Sequence, residues 1–169
     1  MPLFAAIVVL AVFYLAFKLG DEARRRKAAD VKDVWLLSHG AARRELIWAV
    51  RTDQSSQAIA RLASILQGHG ARILRREESQ AILEFGSRTG ARMQGLWACQ
   101  PLEAPTRVLV QVRTADGAHS LRVRFDEDYG FQMFMGPMKR SFDELYGKSF
   151  DALTAILDGT LGPHGLTSQ

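Results

Sequence analysis

The chain is predicted to form an α+β domain with one antiparallel sheet, carried behind an N-terminal membrane helix. Three observations lead there. Residues 3–17 form an uncharged apolar run. From residue 44 onward, several segments alternate apolar and polar residues with period 2 and are separated by Gly, Pro, Asp or Ser. Two further segments, one near each end of this region, instead repeat apolar residues at helical spacing.

The membrane segment comes first. From Pro2 to Leu19 there are about eighteen residues, against roughly twenty needed to cross the hydrocarbon core, so the span relies on Lys18 snorkelling to the interface. No charged side chain precedes the run, whereas Lys18, Arg24, Arg25, Arg26, Lys27 and Lys32 follow it. The positive-inside bias then places the N-terminus outside the cell membrane and the remaining chain in the cytoplasm, as a single-pass protein. A cleaved secretory signal is the competing reading. It calls for a basic n-region, and here that region is only Met1-Pro2, while an arginine cluster follows the point where cleavage would fall.

Charge and cysteine usage bound the partners. Of the 22 Lys and Arg and 18 Asp and Glu, six cations and four acids precede Ala41, which leaves sixteen against fourteen for the domain. So even a balance, without a recognition motif, argues against nucleic acid. Lys18, Arg24, Arg25, Arg26 and Lys27 read instead as a topology signal and a contact for anionic phospholipid headgroups. The single cysteine, Cys99, has no partner for an internal disulfide and suits a reducing compartment, where it reads as a small core residue.

The expected organisation is an anchor over 1–19, a basic juxtamembrane helix or linker over 20–42, one domain over 43–160 and a tail over 161–169. In the linker, Val31, Val34 and Trp35 share one side of a helix that His39-Gly40 ends. The first strand is 44–51, with Leu46, Trp48 and Val50 on one face. Possible N-caps at 52–55 then open a helix carrying Ile59, Leu62, Ile65 and Leu66, closed by Gly68 and Gly70. A hairpin follows over 71–76 and 80–85. A glycine-flanked turn at 86–90 leads to an expected strand in which Met93, Gly95, Trp97 and Cys99 alternate inward.

Val108, Val110 and Val112 mark the next strand, 107–113. Asp116-Gly117 is the strongest hairpin signal, because a two-residue type I′ loop needs positive φ at both central positions. Leu121, Val123 and Phe125 lie on the partner strand. Asp126-Glu127-Asp128 reads as a solvated corner, and 129–135 as a last strand ended by Gly136-Pro137. Ser141-Phe142-Asp143-Glu144 has the form of a capping box opening a final helix, with Phe142, Leu145, Phe150, Leu153, Ile156 and Leu157 inward and Gly159 as the stop.

The resulting order, strand, helix, about six antiparallel strands and a C-terminal helix, resembles the helix-grip arrangement of START and polyketide-cyclase-like domains. In that family a curved sheet wraps a long final helix and can enclose an apolar ligand. The resemblance covers roughly 44–159, and the chain departs from it in having one helix, not two, between the first two strands.

Three groups of residues are candidates for function. Arg107, Arg113, Arg122 and Arg124, with Arg92 beside them, would face outward from neighbouring strands, and their guanidinium forks suit carboxylates or phosphates of a docking partner. The alternative is a solvated face balanced by Glu84 and Glu103. Met93, Trp97, Phe131, Met133 and Met135 could line an adaptable apolar cavity or fill an ordinary core. The four histidines are dispersed, and no metal-binding, nucleotide-binding or catalytic motif accompanies them, so neither metal, cofactor nor catalytic residue is expected. The expected role is a non-enzymatic accessory or assembly protein whose domain docks on an integral membrane protein complex. A membrane-tethered carrier of lipid or another hydrophobic ligand is the alternative.

Overall fold

The structure, a computed structural model, describes residues 10–16, 18–20, 42–50, 55–95, 98–115, 118–129 and 137–162. Within them, five strands form one antiparallel sheet: β1 (Arg43–Val50), β2 (Arg72–Arg76), β3 (Gln80–Phe85), β4 (Thr106–Ala115) and β5 (Ala118–Glu127). Their order is β1-β5-β4-β3-β2: β2 to β5 form a meander, and β1 adds beside β5, so that β1 and β2 are the edges. The helices are α1 (Ser55–Gly68), the short α2 (Arg88–Gln94) and α3 (Pro137–Leu161). Residues 10–16 and 18–20 are also helical. Among the described residues no helix is long and apolar enough to cross a membrane; residues 1–9 and 17 of the expected anchor lie outside them.

Period-2 alternation decides which side of the sheet is the core. Leu46 and Trp48 of β1, Leu83 and Phe85 of β3, Val108 and Val110 of β4, and Leu121, Val123 and Phe125 of β5 are buried on one face. Both long helices pack there: α1 through Ile59, Leu62, Ala63 and Leu66, and α3 through Phe142, Tyr146, Phe150, Leu153 and Leu157. Along α3, Phe142, Tyr146 and Phe150 recur every four residues, and their rings pack in tilted pairs with centroids 4.7 and 5.8 Å apart. Phe150 also meets Phe125 of β5 at 5.8 Å. Where β4 starts beneath α3, the side chains are small: Ser149 and Thr106 are fully buried with their hydroxyls 3.3 Å apart.

Four expectations are corrected. The strand expected through Met93 and Cys99 is instead α2, capped by Ser87, whose Oγ accepts from the Gly90 N–H at 3.3 Å, and closed at Gly95 with φ +83°. With only Ala91 buried, so short a helix shows no periodic stripe. The final helix opens at Pro137, one turn before the Ser141 capping box; proline suits a first turn, where its missing N–H is not needed. The same helix runs past Gly159 to Leu161 and ends against Gly162 at φ +83°. Finally, β5 continues through Asp126 and Glu127, so these residues form ladder pairs and not a corner. Among the described residues the sheet has five strands: one of the seven expected is replaced by α2, and another, 129–135, falls largely outside the described residues. The Asp116-Gly117 turn lies outside them too, but the last ladder pair, Ala115↔Ala118, leaves a connection of the expected length.

Gly86 marks a close approach. It sits at φ +64°, and a Cβ there would lie 2.1 Å from the Glu103 carbonyl oxygen and 2.6 Å from its carbon. Only glycine lets the chain leaving β3 pass the turn Pro101–Glu103. Glu103 itself caps that turn, its carboxylate accepting from the Gln100 N–H at 2.9 Å, and is not part of the arginine face it was expected to balance.

Candidate functional site

The sheet face opposite the helices is built from the residues left over by the core alternation. Cross-strand register sets Arg72, Glu84, Arg107, Asp126 and Arg43 in one row, with charges alternating across all five strands. The next row carries Ile82, Leu109, Arg124 and Glu45, of which Ile82 and Leu109 form a small separate apolar cluster with Leu74. Opposite charges placed directly across a ladder attract, so the register is reinforced electrostatically as well as by the core.

The four arginines assigned to docking do share this face, but their environments differ. Arg124 is 2% exposed and donates from Nε to Asp126 at 2.8 Å, while Arg43 reaches the same carboxylate at 2.8 Å. Arg107, 6% exposed, donates from Nη2 to Asp128 at 2.9 Å. Arg122 makes a two-pronged pair with Glu45, one prong at 2.7 Å. Arg113 alone of the four is exposed. Arg92 belongs to α2, where Nη2 donates to the Tyr129 carbonyl at 3.0 Å and the guanidinium lies 5.5 Å from the centre of the Tyr129 ring.

Asp126, Glu127 and Asp128 are all buried, which overturns their reading as a solvated corner. Asp128 is clasped between Arg107 of β4 and Arg88 of α2, whose guanidinium also donates to the Asp128 main-chain carbonyl. Two N–H groups here, Arg88 Nη1 and Arg107 Nε, are buried and make no hydrogen bond. Tyr146 reaches the same end of the sheet from α3 and donates to the Pro105 carbonyl at 2.8 Å, which also accepts from the Asp128 N–H at 2.7 Å. Burial, and then the Glu127 and Asp128 charges, push its phenol far above the ordinary value. It therefore stays protonated and acts as a donor. The Arg88–Asp128–Arg107 clasp joins α2 to β4 and the end of β5; this work is structural. No spacing signal reveals it, because its members lie 19 and 21 residues apart in sequence and meet only in the fold.

Cys99 is buried beside the Gly95 carbonyl, and burial, with Glu103 nearby, raises its thiol pKa, which disfavours the nucleophilic thiolate. Among the described residues no three His, Cys, Asp or Glu side chains converge as metal ligands.

A second candidate surface lies around α2. Met93 is 70% exposed and does not point inward as expected. With Thr89, Arg92, Leu10, Phe13 and Tyr14 it lines an open, almost wholly apolar hollow of about 300 Å³. Trp97, Phe131, Met133 and Met135 lie outside the described residues, as do Arg24, Arg25, Arg26 and Lys27. Lys18 is exposed on the N-terminal helical stretch. No protein-family model matches the chain, and no curated protein matches its sequence.

Proposed function

We propose that the chain is a membrane-tethered, non-enzymatic docking protein: an N-terminal helix holds a compact domain at the cytoplasmic surface of the cell membrane, where it engages components of a membrane protein complex. One observation carries this reading. Apart from Met93 and Met138, every large apolar side chain that is exposed among the described residues lies between Leu10 and Leu19. A row of apolar groups left open to water calls for a cover, and lipid or a partner's helices supply one. Lys18 and the cations that follow it in sequence support a membrane boundary at that point.

The tether raises the local concentration of the domain at the bilayer, so a modest docking face suffices for occupancy. Of the four arginines assigned to docking, Arg113 is the available contact, since Arg107, Arg122 and Arg124 are committed to acids of the same chain. The strand order and the long C-terminal helix on the apolar face support the helix-grip resemblance. Between α3 and the sheet, however, the described space is taken up by Tyr146, Phe150, Leu153 and Leu157, which favours docking over ligand carriage. A mild-detergent pull-down of the full chain, with mass spectrometry of the protein and lipid fractions, tests the proposal. Stoichiometric integral membrane proteins are the expected result; recovery of the chain alone with one bound lipid would replace it with the carrier reading.

A further inference from the structure

We infer that the hollow between the N-terminal helix and α2 is a seat for an anionic phospholipid, taking part of an acyl chain against Met93, Leu10 and Phe13 and the phosphate on Arg92. The inference rests on the membrane-tether reading and adds a specific contact to it. An α-helix rises ~1.5 Å per residue, so Tyr14 and Leu10 lie roughly 6 and 12 Å along the helix from Lys18, away from the cations that follow it. Their positions begin in the interfacial layer and reach into the hydrocarbon. There α2 presents Met93 as the domain's own apolar contribution.

The chemistry of the lining selects the occupant. Apart from Thr89 and Arg92 its walls are apolar or aromatic, as an acyl chain requires, and its volume of about 300 Å³ is at the lower end for a small-molecule pocket, room for part of one chain. The cation at its rim is held in place: Arg92 is fixed by the Tyr129 carbonyl through Nη2 and by the Tyr129 ring, leaving other guanidinium N–H groups to meet a phosphate oxygen. Lys18 and the Arg24–Lys27 run add cations on the same side of the apolar segment. A partner's transmembrane helix would fill the apolar walls equally well but would leave Arg92 without an anion.

The test uses the full chain in phosphatidylcholine vesicles with and without phosphatidylglycerol, carrying an environment-sensitive fluorophore on Met93→Cys. Cys99 is buried and stays in place, and a label on exposed Lys148→Cys serves as the water reference. The expected result is a blue-shifted Met93→Cys probe, quenched by lipids spin-labelled high on the acyl chain, with phosphatidylglycerol enriched among lipids retained through purification. Arg92→Gln should lower that enrichment about fivefold, the factor that one juxtamembrane cation contributes. A water-like probe on vesicle-bound protein overturns the lipid seat while leaving the tether intact. A blue shift without lipid quenching, or enrichment unchanged in Arg92→Gln, also overturns it. Protein that fails to float with vesicles removes the tether itself.

Discussion

Asp128→Asn isolates the energetic role of the buried clasp. In the native protein this carboxylate serves Arg107 at 2.9 Å and Arg88, and the side chains of all three are largely shielded from solvent. Asparagine keeps one acceptor oxygen but carries no charge and turns an NH2 toward the second guanidinium, so both buried cations lose the carboxylate that pairs them. Breaking such a pair costs about 3–5 kcal/mol, because the desolvation of the remaining ion is no longer offset. With a urea m-value of roughly 2 kcal/mol/M for a domain of this size, the midpoint should fall by about 2 M. The exposed Glu144–Lys148 pair provides the contrast, and Lys148→Ala should leave the urea midpoint essentially unchanged. The assay is urea unfolding of the full chain in mild detergent, followed by circular dichroism. Adding Arg107→Met to Asp128→Asn should recover part of the loss, since the cost is an unpaired charge and not a missing shape. An Asp128→Asn midpoint within about 0.5 M of wild type would refute the reasoning.

Tyr146 makes stability fall at alkaline pH. Its phenol pKa is raised in the folded state above the ordinary value of 10.0, so the folded chain holds a proton that the unfolded chain releases. The contribution is complete below pH 10 and declines above it by about 1.4 kcal/mol per pH unit; Tyr146→Phe should flatten this slope in alkaline melts. At neutral pH Tyr146→Phe should cost only about 1 kcal/mol, as the Pro105 carbonyl keeps the Asp128 N–H. Gly86→Ala combines a left-handed φ with a Cβ driven into the Glu103 carbonyl, and thermal melts should register a loss of at least about 2 kcal/mol. Arg113→Glu should leave the melt unchanged and weaken capture of the membrane partner; unchanged capture would remove Arg113 from the docking surface. Arg124→Glu is unsuited to that test, because it places two buried acids together and should unfold the domain.

The alternating strands and their inward residues were legible in the sequence because burial on one face imposes period 2 directly on the chain. Leu46, Trp48, Val108, Val110, Leu121, Val123 and Phe125 all point where the pattern places them. The same holds for α1, for the α3 stripe and for the β4–β5 register, since each is set by neighbours in sequence. Tyr146 is not among the inward residues that the apolar pattern gives for α3, since its hydroxyl is polar and its acceptor, the Pro105 carbonyl, lies 41 residues away in sequence. Only the tertiary structure decided the rest. Arg107, Asp126 and Asp128 carry the same charges whether solvated or buried, and what separates these states is a counter-ion brought from another element: Asp128 for Arg107, Arg43 of β1 for Asp126, and Arg88 of α2 with Arg107 for Asp128. The seven-residue α2 likewise buries only Ala91, too little to leave a periodic trace between its cap at Ser87 and its stop at Gly95. Local patterning therefore specified the core side of this protein, and long-range pairing of charges specified the other.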